Sequence, residues 1–170
     1  MSFGASIASV FRKYAVFRGV ATRPEYWWWT LFSFLVAMAV NLLMTATGED
    51  GINSQFGPAS AISLVWSLGT LIPSLAVTVR RFHDAGFSGK WLWLYLVPVV
   101  GLVFAISSAV PVIWGYWQGS LVGDELIAAA IGLVGVASIP ILGGLAIGIF
   151  ALVVTLRPSK SAAEGNKYAV

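Results

Sequence analysis

The residues able to do chemistry are crowded into one stretch: Arg80-Arg81-Phe82-His83-Asp84-Ala85-Gly86-Phe87-Ser88-Gly89-Lys90-Trp91. It holds three of the ten basic residues, the single histidine and one of the seven acids, between long apolar runs. A His-Asp dipeptide suits a metal-dependent phosphohydrolase, but such a centre needs several His and Asp ligands, and one histidine does not supply them. Gly86-Phe87-Ser88-Gly89 has the G-x-S-G spacing of a serine nucleophile held within a membrane. Its base would then sit on another span, whereas His83 lies five residues upstream, and on a helix those side chains point about 140° apart. Ser88 is better placed to cap the N-terminus of the next helix. No G-x-G-x-x-G, phosphate-binding loop or nucleophile elbow occurs. With no cysteine, disulfides, thiolate chemistry and Cys-based metal centres are excluded. Neither an enzyme nor a cofactor or metal site is expected.

A second kind of chemistry remains. Arg23, Glu25, Arg80, Arg81, His83 and Asp84 would meet at one depth if their helices bundle. One reading is topology anchoring with ion pairs, Glu25 to Arg80 or Arg81 and Asp84 to Arg23, with Glu25 or Asp84 as the internal carboxylate for the Arg81 fork. The other is a site for an anionic headgroup or small anion, since paired guanidinium groups match phosphate geometry.

The elements that carry these residues follow from hydropathy. Of the 170 residues 58% are hydrophobic and only 10% charged, against about 25% charged in soluble domains, and the mean hydropathy is +0.86. A soluble chain of this kind would expose large apolar patches, and a membrane barrel would show alternating segments of about 10 residues. The expected fold is therefore all-α: a single polytopic membrane domain of four transmembrane helices behind an N-terminal interfacial amphipathic helix.

That amphipathic helix is expected over residues 2–18, with Phe3, Ile7, Val10, Phe11, Tyr14 and Phe17 on one arc and Arg12 opposite. A cleaved signal peptide is not expected, because the following apolar run is too long for one. Spans are expected at about 26–45, 58–79, 91–113 and 126–156, each long enough for a bilayer core of about 30 Å. Trp27, Trp28 and Trp29 read as an interfacial belt, as do Trp91, Trp93 and Tyr95 and, at the far end, Trp114, Tyr116 and Trp117. Pro73 removes one hydrogen bond from the second span. Residues 157–170 read as a mobile polar tail.

Charge sets the orientation. All ten Lys and Arg precede the first span, lie between the second and third, or follow the fourth; the opposite side carries Glu49, Asp50, Asp124 and Glu125 and no Lys or Arg. By the positive-inside rule both termini are cytoplasmic. The same rule accounts for the net charge of +3 without nucleic acid. No Asp, Glu, Lys, Arg or His falls inside the expected spans, which argues against an ion-coupled pump.

The motifs also carry a resemblance. Phe17-Arg18-Gly19-Val20-Ala21-Thr22-Arg23-Pro24-Glu25-Tyr26-Trp27 resembles the F-x-G-R-A-S-R-x-E-Y-W opening of the YhaH-like family, domain-of-unknown-function family 805. The Arg80–Trp91 stretch is similar to that family's R-R-x-H-D-x-G-x-S-G-x-W loop, and Glu164-Gly165-Asn166-Lys167-Tyr168 echoes its Gly-Asn-aromatic tail. Val20 stands where the family has Arg, Ala169 where it has Gly, and residues 107–136 are extra length. The resemblance implies a bacterial inner (plasma) membrane location and carries no activity with it.

The function expected is a non-enzymatic membrane interaction or accessory protein with a cytoplasmic-face Arg/His/Asp cluster; the alternatives are a small transport or channel subunit and an anionic-lipid headgroup binder. Its partners would be the lipid bilayer, an anionic phospholipid, and a second copy (a homo-oligomer) or another membrane protein. Glycine faces such as Gly144 with Gly148 suit that association. Nucleic acid is not among them. Reporter fusions after Glu49 and Gly119 are expected to read out as periplasmic, and those after Gly86 and Val170 as cytoplasmic. A cytoplasmic signal at Gly119 would refute the four-span topology.

Overall fold

The computed structural model describes residues 1–49 and 56–168, so Asp50 of the first acidic loop and Ala169 of the tail lie outside the described residues. The described chain is all-helical. In order it forms α1 (Phe3–Arg12), α2 (Arg23–Thr47), α3 (Pro58–Asp84), a 3-10 segment (Gly89–Tyr95), α4 (Leu96–Trp117), α5 (Asp124–Leu156) and a short 3-10 turn (Ala162–Glu164). Among the described residues four helices are long and apolar enough to cross a membrane. The chain divides into two compact units, Met1–Gly89 with Thr155–Val170, and Lys90–Val154.

In the first unit α1 is shorter than its hydrophobic arc suggests. Lys13 leaves helical geometry at φ −103°, ψ 38°, and the chain turns there. Phe3 packs edge-on against Trp28 and Phe32, and Phe11 edge-on against Trp29. Both ends of α1 thus touch the same turn of α2, so α1 crosses that helix rather than running along it. Its inward stripe is Ser6 and Val10, which are fully buried, while Phe3, Phe11 and Phe17 keep exposed faces.

The three consecutive tryptophans do not share a role. Successive residues of a helix diverge by about 100°, so all three cannot face lipid. Trp29 turns inward to a core with Val10, Ala21 and Val77, and its indole N–H donates to Ser74 Oγ at 3.1 Å. Trp27 and Trp28 remain partly exposed.

Several backbone groups that lose a helical partner find another, as a low-dielectric surrounding favours. Thr22 caps α2, with Pro24 in its first turn. Glu49, just beyond α2, caps α3 across the connection: Ala59 N–H donates to Oε1 at 3.2 Å and Ser60 N–H to Oε2 at 2.7 Å. Gly57 leaves room for that carboxylate, since a Cβ there would sit 2.5 Å from it. In mid-helix, Pro73 cannot donate to the Gly69 carbonyl four residues back. Tyr14 Oη donates to it instead, at 2.6 Å.

The second unit is built on the antiparallel pair α4–α5. Gly101 faces Pro140, where a Cβ would come within 2.8 Å of the proline Cβ, and Gly144 faces Pro98. Trp91 packs against Phe150 in the same register. Each glycine thus receives a proline ring from the other helix, and α4 and α5 continue helically through Pro111 and Pro140.

Two outcomes are expected. Tyr14→Phe should lower stability in detergent by about 1 kcal/mol, the worth of one such hydrogen bond, but should cost nothing in a Pro73→Ala background, where the alanine restores the missing N–H. An equal cost in both backgrounds contradicts the assignment. The Glu49 carboxyl is held below its ordinary pKa of 4.5, first by the Ser60 N–H. A depressed carboxylate stabilises the fold above its unfolded pKa, and the contribution is lost as pH falls through the folded value. Glu49→Gln should therefore melt below the parent at neutral pH, and the two curves should converge in acid.

Candidate functional site

Two helix ends meet in the first unit, and each brings carbonyls without helical partners. The helix carrying Arg80 and Arg81 does not stop at residue 79, as hydropathy suggests, but runs on to Asp84. Its termination is a Schellman arrangement. Phe87 N–H donates to the Phe82 carbonyl at 2.8 Å and Gly86 N–H to that of His83 at 3.0 Å, with Gly86 at φ +83°. Arg80, Arg81 and Asp84 are consequently buried side chains on the last turns of a helix, not loop residues.

The expected tail is also different. Residues 159–168 fold back onto the end of α3. Lys160 N–H donates to the Asp84 carbonyl at 2.9 Å. Ser161 and Glu164 form a capping box, whose backbone and hydroxyl donors hold the Glu164 carboxyl below its ordinary pKa. That turn delivers Asn166, which is buried and donates to the carbonyls of His83 and Lys160, both at 3.0 Å.

The C-terminus of α5 is capped by arginines from the other helices. Arg81 Nε donates to the Thr155 carbonyl at 3.0 Å, and its Nη2 to that of Arg157. Arg23 Nε donates to the Arg157 carbonyl at 2.7 Å, and its Nη2 to that of Leu156. Two cations thus sit where the helix dipole is negative. The remaining Arg81 donor, Nη1, meets Asp84 Oδ2, an oxygen that also accepts from Ser159 Oγ.

Arg80 forms a separate pair. Its Nη1 lies 2.7 Å from Glu25 Oε1, which also accepts from Ser9 Oγ at 3.0 Å. Among the described residues its Nε and Nη2 are buried with no acceptor. Of the expected pairs Glu25 with Arg80 and Asp84 with Arg81 form; Asp84 does not pair with Arg23, because the i,i+3 spacing on one helix brings it to Arg81. His83 is half-buried. Its Nδ1 lies 3.2 Å from the Gly19 carbonyl, an acceptor, so that nitrogen carries the proton. Tyr168 stacks on the ring at 4.0 Å between centroids and 9° between planes.

The six residues singled out in the sequence are therefore brought together, but in three networks: Arg80 with Glu25, Arg81 with Asp84 and Arg23 around the α5 carbonyls, and His83 with Tyr168. Ser9, Ser159, Asn166 and the Thr155 carbonyl were not visible as participants. Two sequence signals mark the tail as ordered, the Gly-Asn-aromatic motif at Gly165-Asn166 and the S-x-x-E spacing at Ser161. Among the described residues no group of three or more His, Asp or Glu side chains could hold a metal ion.

Comparison with known proteins gives this arrangement a family. A family profile described as "Protein of unknown function (DUF805)" matches residues 14–169. Inner membrane protein YhaI of Escherichia coli K12 is 34% identical over 93 residues, covering 55% of this chain and 72% of that protein. Inner membrane protein YhaH of the same strain is 30% identical over 97 residues, covering 57% and 77%. The uncharacterised protein YiiR is 28% identical over 106 residues, covering 62% and 66%. No solved structure matches. Inner-membrane relatives and four spanning helices place the chain as a multi-pass protein of a bacterial inner membrane. With the profile spanning nearly its whole length, the chain belongs to the DUF805 family.

Proposed function

We propose that this chain is a non-enzymatic membrane interaction or accessory protein, with both termini and the Arg80–Asp84 cluster at the cytoplasmic face. The observation that carries the reading is where the polar groups of the cluster point. All three nitrogens of the Arg81 guanidinium, the Asp84 carboxylate and the Asn166 amide engage carbonyls, a hydroxyl or one another. A general base or nucleophile needs a free, aimed group, and these are committed to holding the α3 and α5 ends and the tail.

The cluster serves the proposed role by fixing a surface. With Glu25 and Asp84 paired internally, the side chains left exposed around it include Lys13, Arg18, Arg157, Lys160 and Lys167. Such a face suits an acidic partner or an anionic leaflet. The orientation rests on the partition of Lys and Arg.

Arg81→Lys is the discriminating variant, because it keeps the charge and loses the fork. It should destabilise the protein by about 1–3 kcal/mol, the cost of leaving buried acceptors unmet. Arg81→Ala should cost about 3–5 kcal/mol, because it strands the Asp84 carboxylate. Capture from native membranes under mild detergent should return a stoichiometric membrane protein with the parent and lose it with Arg81→Lys. Recovery of phospholipid alone would shift the reading to headgroup binding; substrate turnover abolished by His83→Phe would contradict it.

A further inference from the structure

Arg23 differs from an ordinary exposed arginine. Its Nε and Nη2 are tied to the α5 carbonyls, so the guanidinium is held in place although the residue is exposed. Among the described residues its Nη1 has no protein acceptor. It lies at the first residue of α2, where the helix dipole adds positive potential. The nearest acid in sequence, Glu25, is buried and engaged by Arg80.

A cleft of ≈ 430 Å³ begins at this guanidinium, lined by Arg23, Pro24, Trp27, Trp28 and Leu31. Residues 23, 27 and 31 are spaced by four, so the cleft runs along one face of α2 for about 12 Å. Its walls are fixed rings: Trp27 packs edge-on against Tyr26 and Trp28 edge-on against Phe3. The cleft is therefore ordered head to tail, a held cation followed by an open apolar groove along a helix long and apolar enough to cross a membrane.

We infer that this cleft is a binding site for one anionic phospholipid, its phosphate on Arg23 Nη1 and the upper part of an acyl chain between Trp27 and Trp28 down to Leu31. Charge complementarity selects the headgroup, and the apolar groove beyond it selects a lipid over free phosphate. A zwitterionic lipid carries its own ammonium beside the phosphate and gains less from the guanidinium. Arg23 shares the Arg157 carbonyl with the Arg81 clamp, but its Nη1 and the cleft lie outside that clamp, and the site stands or falls independently of any protein partner.

The test uses the full chain in neutral detergent, with lipid retention read by native mass spectrometry and by thermal shift. Phosphatidylglycerol should be retained at one molecule per chain and should raise the melting temperature more than phosphatidylcholine; inorganic phosphate should do neither. Arg23→Gln, whose amide can still donate to a carbonyl, should weaken phosphatidylglycerol binding by about tenfold or more, as loss of a charge-assisted contact does. Leu31→Trp fills the apolar end without touching the guanidinium, so it should also reduce retention while leaving the lipid-free melting temperature unchanged. Equal retention of the two lipids by the parent, full competition by inorganic phosphate, or undiminished phosphatidylglycerol binding in Leu31→Trp would overturn the assignment.

Discussion

A guanidinium removed from water must have its N–H groups answered, and Arg81, with no exposed surface, sets that demand at the centre of the first unit. Two of its nitrogens take carbonyls that α5 leaves open at its end, and the third takes Asp84. The solution works in both directions, because those carbonyls were themselves without helical partners. Much of the local architecture follows from it. The chain after α5 must pass close enough to offer Thr155 and Arg157, and Ser159 then reaches Asp84. The tail must turn back, which brings Asn166 under the carbonyls of α3. Residues far apart in sequence are thereby joined by polar contacts around one side chain.

The same accounting extends along the helices. A proline within α3 opens a carbonyl, and a tyrosine from beyond α1 closes it. The open N–H groups at the start of α3 are met by a glutamate from the end of α2. In hydrocarbon an unmet backbone group costs several kcal/mol, so these contacts do what water would do for a soluble helix. Among the described residues Arg80, with two buried donors lacking an acceptor, and the buried Ser33 hydroxyl are exceptions.

What could be read from the sequence and what could not divide along physical lines. The four spans were legible because apolar length is a property of a continuous segment. Helix ends were not: α3 continues through Arg80, Arg81 and Asp84 because tertiary partners make their burial tolerable, and no local pattern reports those partners. Trp29 looked like its neighbours yet turned inward, since belt membership depends on helix phase against α3 and not on residue type. The tail looked mobile because it is polar, but its order comes from carbonyls 82 and 83 residues away. Glu25 with Arg80 and Asp84 with Arg81 are both readable as carboxylate–guanidinium pairs; the contact of Arg23 with the end of α5 is not, because a backbone carbonyl carries no sequence signal.

The central claim is that the polar cluster is a clamp joining the end of α3 to the tail. Amide hydrogen exchange of the intact protein in lipid nanodiscs tests it most directly, at Lys160, whose N–H donates to the Asp84 carbonyl, and at Asn166, whose N–H donates to the Ser161 carbonyl. The account predicts that both amides exchange far more slowly than those of an open chain, as docked backbone does. Exchange at open-chain rates throughout residues 157–168 would contradict it.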